Sequence, residues 1–205
     1  MSNLEQLNAM HIDVLKEIGN IGAGNAATSL AQMMNSKVDM VTPVVRILDI
    51  SEADNALGGP ETLAVAILAE LYGDIHGIMM FVISQGFTKA LLKSLLNEEH
   101  SDCRRLSDME KSALSEIGNI MISSYANSIA TLSKLNIQIS VPAVTSDMVG
   151  ALLTVPAAEM GSVSDKIIFI QDDFITLNKT ISADMLLIPD IDSLNTLMGS
   201  LGIEL

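Results

Sequence analysis

Glutamate and asparagine stand three residues apart at Glu17 and Asn20, and the pair returns 99 positions later at Glu116 and Asn119. Neither side chain is a good nucleophile. Together they supply two hydrogen-bonding functions. Asparagine donates to and accepts from a water and so fixes its orientation; glutamate pairs with a cation. The combination suits a reaction that needs a placed water and little covalent help. Phosphoryl hydrolysis is such a reaction, because positioning and electrostatics do most of it. Asp13 and Ser112 precede the two glutamates by four residues, and Pro43 and Pro142 follow the two asparagines by 23.

The elements that hold these residues are themselves repeated. DVLKEIGNIGAGNAATSLAQMMNSKVDMVTPVV (13–45) aligns without a gap on SALSEIGNIMISSYANSIATLSKLNIQISVPAV (112–144). On a helix, Asp13, Glu17 and Asn20 fall within an arc of roughly 60° and span about 10 Å, and Ser112, Glu116 and Asn119 repeat that row. Val14, Leu15, Ile18 and Ile21, with Ala113, Leu114, Ile117 and Ile120, lie on the other side, so each helix buries one face. Gly19 and Gly118 read as close-packing positions. The helices should end near Asn35 and Lys134. Asn8 or Ser2 serves as a first N-cap, and Ser107-x-x-Glu110 is a capping-box pattern for the second helix.

A strand follows each helix, with alternation at Val38 and Met40 and at Ile137, Ile139 and Val141. Pro43 and Pro142 belong at a strand edge or end. Residues 63–72 and 75–84 then read as a hairpin around a two-residue Gly73-Asp74 turn. Residues 166–177 and 180–189 read as a second hairpin around Asn178-Lys179. Helices are expected over 85–98 and 190–201. Residues 51–61 read as a polar loop and 146–165 as the largest irregular region. The expected fold is α+β: one internally duplicated domain over 1–205, with pseudo-symmetric halves at about 8–98 and 107–201. Its sheet is six-stranded and largely antiparallel, with two long and two shorter helices packed on it.

Composition narrows the function. The net charge is −14 and aromatics make up 3%. Phosphate repels such a surface and base stacking lacks its platforms, so nucleic acid is not an expected partner. No run reaches the ~18 apolar residues of a membrane span, and the opening MSNLEQLNAM lacks the pattern of a signal peptide. A cytoplasmic location is the expectation. Cys103 is the only cysteine and reads as a surface thiol. His11, His76 and His100 have no metal-ligand spacing, so neither a metal site nor a cofactor of the chain's own is expected. Gly22-x-Gly24-x-x-Ala27 matches a dinucleotide fingerprint, but that pattern needs a preceding strand and here follows helical periodicity.

The doubled pattern [Asp/Ser]-x3-Glu-x2-Asn-x22-Pro, with EIGNIGAGNAAT in the first copy, resembles the signature of the CheC/CheX/FliY chemotaxis phosphatases, and within them the CheC branch. The resemblance spans the chain. It implies a CheC-like fold and a phosphatase acting on an aspartyl phosphate in a CheY-like response regulator. Glu17 and Glu116 would dock the regulator's active-site lysine; Asn20 and Asn119 would orient the attacking water. Asp13, Ser112, Pro43 and Pro142 would support them. Mg²⁺ would belong to the regulator. A CheD deamidase is the further partner implied, and Ser146-Asp147-Met148-Val149 is a candidate surface for it. The competing reading is a non-catalytic adaptor or flagellar-switch module that binds CheY or CheD.

Overall fold

The computed structural model describes residues 9–97, 102–160, 166–176 and 179–202. The first half opens with a long helix, α1 (Ala9–Met33), followed by two short strands, β1 (Val38–Met40) and β2 (Val44–Asp49). A 3-10 turn (Ile50–Glu52) and a short helix α2 (Ala53–Ala56) lead to the strands β3 (Leu63–Gly73) and β4 (Gly77–Ser84) and then to helix α3 (Gln85–Leu96). The second half repeats the order: α4 (Asp108–Ser133), β5 (Ile137–Ile139), β6 (Ala143–Met148), α5 (Val149–Leu152), α6 (Thr154–Met160), β7 (Lys166–Thr176), β8 (Lys179–Pro189) and α7 (Ile191–Ser200).

Local chemistry sets the helix ends. Ser107 Oγ accepts from the Glu110 N–H at 3.3 Å, and Glu110 Oε2 accepts from the Ser107 N–H at 2.7 Å. That reciprocal pair opens α4 as the sequence predicts. Lys134 closes it in the left-handed region at φ 60°, and Asn35 follows α1 at φ 44°. The proposed caps Asn8 and Ser2 lie outside the described residues. Ser84 caps α3 by accepting from Phe87 N–H, and Asp190 caps α7 by accepting from Ser193 N–H.

The sheet is antiparallel throughout its described pairings. Its path is β1-β7-β8-β4-β3-β5, with β2 also on β7 and β6 also on β3. The expected six positions are present, and the two outer ones are each broken into two segments. The break falls at Pro43 and Pro142, which have no N–H to give the ladder. The outer strands also change partners between halves. β1 and β2 pair with the second half's hairpin, and β5 and β6 pair with the first half's.

Both faces of the sheet are covered. Leu15 and Ile18 of α1, Phe87 and Leu91 of α3, Ile117 and Tyr125 of α4, and Leu197 of α7 share one core with Ile67, Phe81 and Met185. Beneath the other face, Ala53 of α2 and Val149 and Leu152 of α5 pack with Ala66, Met80, Phe169 and Leu186. Hairpin strands buried on both sides account for the near-continuous apolar runs in the sequence. They also correct two expectations. Residues 51–61 and the described part of 146–165, up to 160, are not simply loops: they supply the short helices that cover the second face.

Two smaller corrections follow. The first hairpin closes through Asp74, Ile75 and His76 rather than a two-residue turn. Gly73, at φ +111°, lies so close to Asn136 that an added Cβ would stand 2.3 Å from its carbonyl oxygen. Asp74 Oδ2 accepts from Asn136 N–H at 2.7 Å and ties this turn to the start of β5. The second hairpin's register closes at Thr176 opposite Lys179, and Asn178 lies outside the described residues. Cys103 is buried in the main core, not a surface thiol, and burial raises its pKa.

Candidate functional site

Helices α1 and α4 pack against each other, and each turns its polar row away from the core. Glu17, Glu116 and Asn119 are exposed, and Asn20 is half-buried. None of the four side chains makes a hydrogen bond or ion pair with any described residue. Among the described residues, then, nothing occupies these four polar groups at matching helical positions. Asp13 differs, since Lys16 Nζ lies 3.1 Å from its carboxylate. The pair is solvent-exposed, so it contributes little to stability. Ser112 is exposed.

The buried side of each helix follows the periodicity with one refinement. Leu15, Ile18, Leu114 and Ile117 are buried, whereas Val14, Ile21, Ala113 and Ile120 are half-buried shoulders. A helix packed on a sheet buries a stripe, and residues toward its margins keep partial access.

The glycines divide by how much room they have. An added Cβ on Gly118 would stand 2.1 Å from Ile67 Cγ2, so α4 rides directly on β3 there. At Gly19 the nearest atoms are 3.4 Å away, an ordinary contact. The tightest point on α1 is Gly22, where a Cβ would stand 2.5 Å from the Tyr125 ring. Gly22 and Ala26 in the first copy correspond to Met121 and Tyr125 in the second. Glycine in one helix makes space for the tyrosine of the other, so the two copies differ at these paired positions. Gly22 lies inside α1, and among the described residues no strand precedes it, so the dinucleotide reading has no structural basis.

Pro43 and Pro142 come back to the helices that carry the rows. The Pro43 Cβ lies 3.7 Å from the Cβ position of Gly19, and Ser115 Oγ donates to the Pro142 carbonyl at 3.0 Å. Each motif therefore unites as one local unit: helix row, neighbouring proline and broken outer strand. Beside the first row lies a cleft of about 440 Å³ lined by Asp13, Val14, Glu17, Leu132, Ser200 and Leu201. Among the described residues, no group of three or more His, Cys, Asp or Glu could hold a metal ion, and no helix is long and apolar enough to cross a membrane.

Sequence reasoning missed three features. The strand-like alternation read at Ile137, Ile139 and Val141 stops at Ile139: Val141 lies beyond β5 and is 88% exposed. The signal was the following proline, which ends strand periodicity. Tyr125 OH donates to the buried Asp172 carboxylate, a pairing 47 residues apart with no local sequence signature. The segment 146–149 is also not a free loop: Ser146, Asp147 and Met148 pair with β3 and Val149 is buried.

The fold, one antiparallel sheet built from two repeated halves with two long helices packed on it, is shared with solved structures of FliY and FliM. Thermotoga maritima FliY superposes with a TM-score of 0.75 at 19% identity, covering 96% of this chain and 98% of that one. The FliM middle domain from H. pylori gives 0.68 at 13% identity, covering 95% and 99%. The CheY-P phosphatase CheC of Bacillus subtilis (strain 168) is 32% identical over 209 residues, covering 100% of both chains. Residues 10–47 and 109–146 each match the CheC-like family, which places both rows inside the matched segments. The chain belongs to the CheC family.

Proposed function

We propose that this chain is a cytoplasmic protein phosphatase that hydrolyses the aspartyl phosphate of a CheY-type response regulator. The observation that carries this reading is the pair of Glu/Asn rows, Glu17 with Asn20 and Glu116 with Asn119, whose side chains have no partner among the described residues of a CheC family chain. The B. subtilis relative bears the name of that activity. Glu17 or Glu116 docks against the regulator's active-site lysine. Asn20 or Asn119 then holds a water in line with the acyl phosphate. Attack forms a new P–O bond to the water oxygen and breaks the bond to the aspartate, which leaves as a carboxylate. Inorganic phosphate is the second product. Mg²⁺ arrives with the regulator as part of the substrate and neutralises phosphate charge there.

The required effect is modest. An acyl phosphate hydrolyses unaided, and a ten- to hundredfold acceleration needs only ~1.4–2.8 kcal/mol. Orienting one water is sufficient for that. A CheD-type deamidase is a further proposed partner. The FliM-like fold favours one alternative, a binding module of the switch type without hydrolysis. Phosphate release from phosphorylated CheY separates the two. The phosphatase reading expects acceleration by the wild type and none by the Asn20→Ala/Asn119→Ala chain; wild-type binding without acceleration supports the adaptor instead.

A further inference from the structure

The two outer strands carry the same irregularity. In the first copy, Met40 pairs with Phe174 and Val44 with Gln171, so Val41, Thr42 and Pro43 oppose only Asp172 and Asp173. In the second, Ile139 pairs with Leu71 and Ala143 with Leu68, so Ser140, Val141 and Pro142 oppose only Ala69 and Glu70. One extra residue on one strand is a β-bulge. Such bulges re-aim side chains. The ladder is held at equivalent points, by Val41 N–H donating to Asp173 O at 2.8 Å and Ser140 N–H donating to Glu70 O at 3.0 Å.

The bulge turns aliphatic side chains outward. Val141 is 88% exposed, the highest value among the large hydrophobic side chains described, and Val41 and Val44 are 44% and 53% exposed. The bulge is also joined to the helix of its row, through Ser115 to Pro142 in one copy and Gly19 to Pro43 in the other. Ser115 directly precedes Glu116. The second bulge is therefore anchored to α4 at the residue next to Glu116.

We propose that the two proline bulges are apolar docking knobs for the response regulator, with Val141 the principal contact at the second row and Val41 with Val44 at the first. The inference rests on the proposed function for its occupant. The polar row alone gives orientation and little net binding, since each hydrogen bond replaces one to water. An exposed valine buried on docking supplies apolar area without a desolvation cost. Glutamate and asparagine then set the chemistry while the knob contributes affinity.

The test uses Glu17→Ala/Asn20→Ala protein, in which only the second row is intact, and CheY activated with beryllofluoride as a stable mimic of the aspartyl phosphate. Val141→Ser in this background should weaken binding about tenfold by titration calorimetry, as expected for one buried valine. Val155→Ser, a similarly sized substitution at a 45% exposed site on α6, should change it less than about twofold. Unaltered binding by Val141→Ser, an equal loss with Val155→Ser, or no binding before either change overturns the proposal. So does a sedimentation result in which Val141→Ser only splits a dimer of this chain. Binding that follows this pattern without faster phosphate release leaves the docking inference standing and sinks the phosphatase reading.

Discussion

At the residue scale, the proposed mechanism gives water positioning to the two asparagines and docking to the two glutamates, so their substitutions should differ in kind. Glu17→Ala/Glu116→Ala should raise KM for phosphorylated CheY more than it lowers kcat, while the asparagine substitutions act on kcat. Steady-state phosphate release distinguishes the two patterns. The rows should also be unequal. The second has Ser112 where the first has Asp13, and an exposed Asn119 where Asn20 is half-buried. Asn20→Ala and Asn119→Ala singly should therefore lose different fractions of activity; indistinguishable losses count against unequal sites. The rows were legible in sequence because helical spacing and internal duplication marked the same positions independently. The outward turn of Val141 was not, because the alternation was carried past the end of β5 at Ile139 into the bulge that precedes Pro142.

At the element scale, the long helices are positioned by contacts of very different tolerance. Gly118→Ala drives a methyl into the β-branched Ile67 side chain, 2.1 Å from its Cγ2, and should cost about 1–3 kcal/mol of stability. Gly19→Ala meets nothing nearer than 3.4 Å and should be neutral or stabilising by up to ~1 kcal/mol from helix propensity. Urea unfolding of the two variants measures the contrast, and equal costs would show that the two helices do not differ in this way. Both glycines sit in the same EIGNI letters, so sequence could not separate them. The partner side chain decides, and Ile67 belongs to a distant strand. Capping chemistry was legible at Ser107 and Glu110 because it is local. The short helices over the second face were not, because α2 and α5 owe their place to burial of Ala53 and Val149, not to any periodicity four residues can display.

At the scale of the whole molecule, the halves are interleaved. Each outer strand completes the other half's hairpin, so residues 1–98 and 107–205 expressed separately should remain unfolded by circular dichroism and gain structure on mixing. Cooperative folding of either half alone would contradict this. The sequence showed the duplication but not the exchange of strands, since repeat letters do not say which sheet edge a strand joins. The core also holds a charge liability. Burial pushes the Asp172 carboxyl from its ordinary value of 3.8 up to about 8, against the opposing Tyr125 hydrogen bond, with Asp184 and Asp173 adding to the rise. Burial and Asp173 likewise lift Asp184 to about 7, opposed by Arg46. A raised folded-state value means that folding holds the proton. The contribution of Asp172 is complete below about pH 4 and is lost as pH rises toward about 8. Asp172→Asn keeps that position neutral, so the variant should gain stability relative to wild type between about pH 5 and 9; a difference independent of pH would contradict it. The intact chain is also where the catalytic proposal is most directly tested, by following the decay of phosphorylated CheY with and without it. The expected result is at least about tenfold faster decay with wild type and the spontaneous rate with Asn20→Ala/Asn119→Ala; full acceleration by the double variant would contradict the assignment of water positioning to these asparagines.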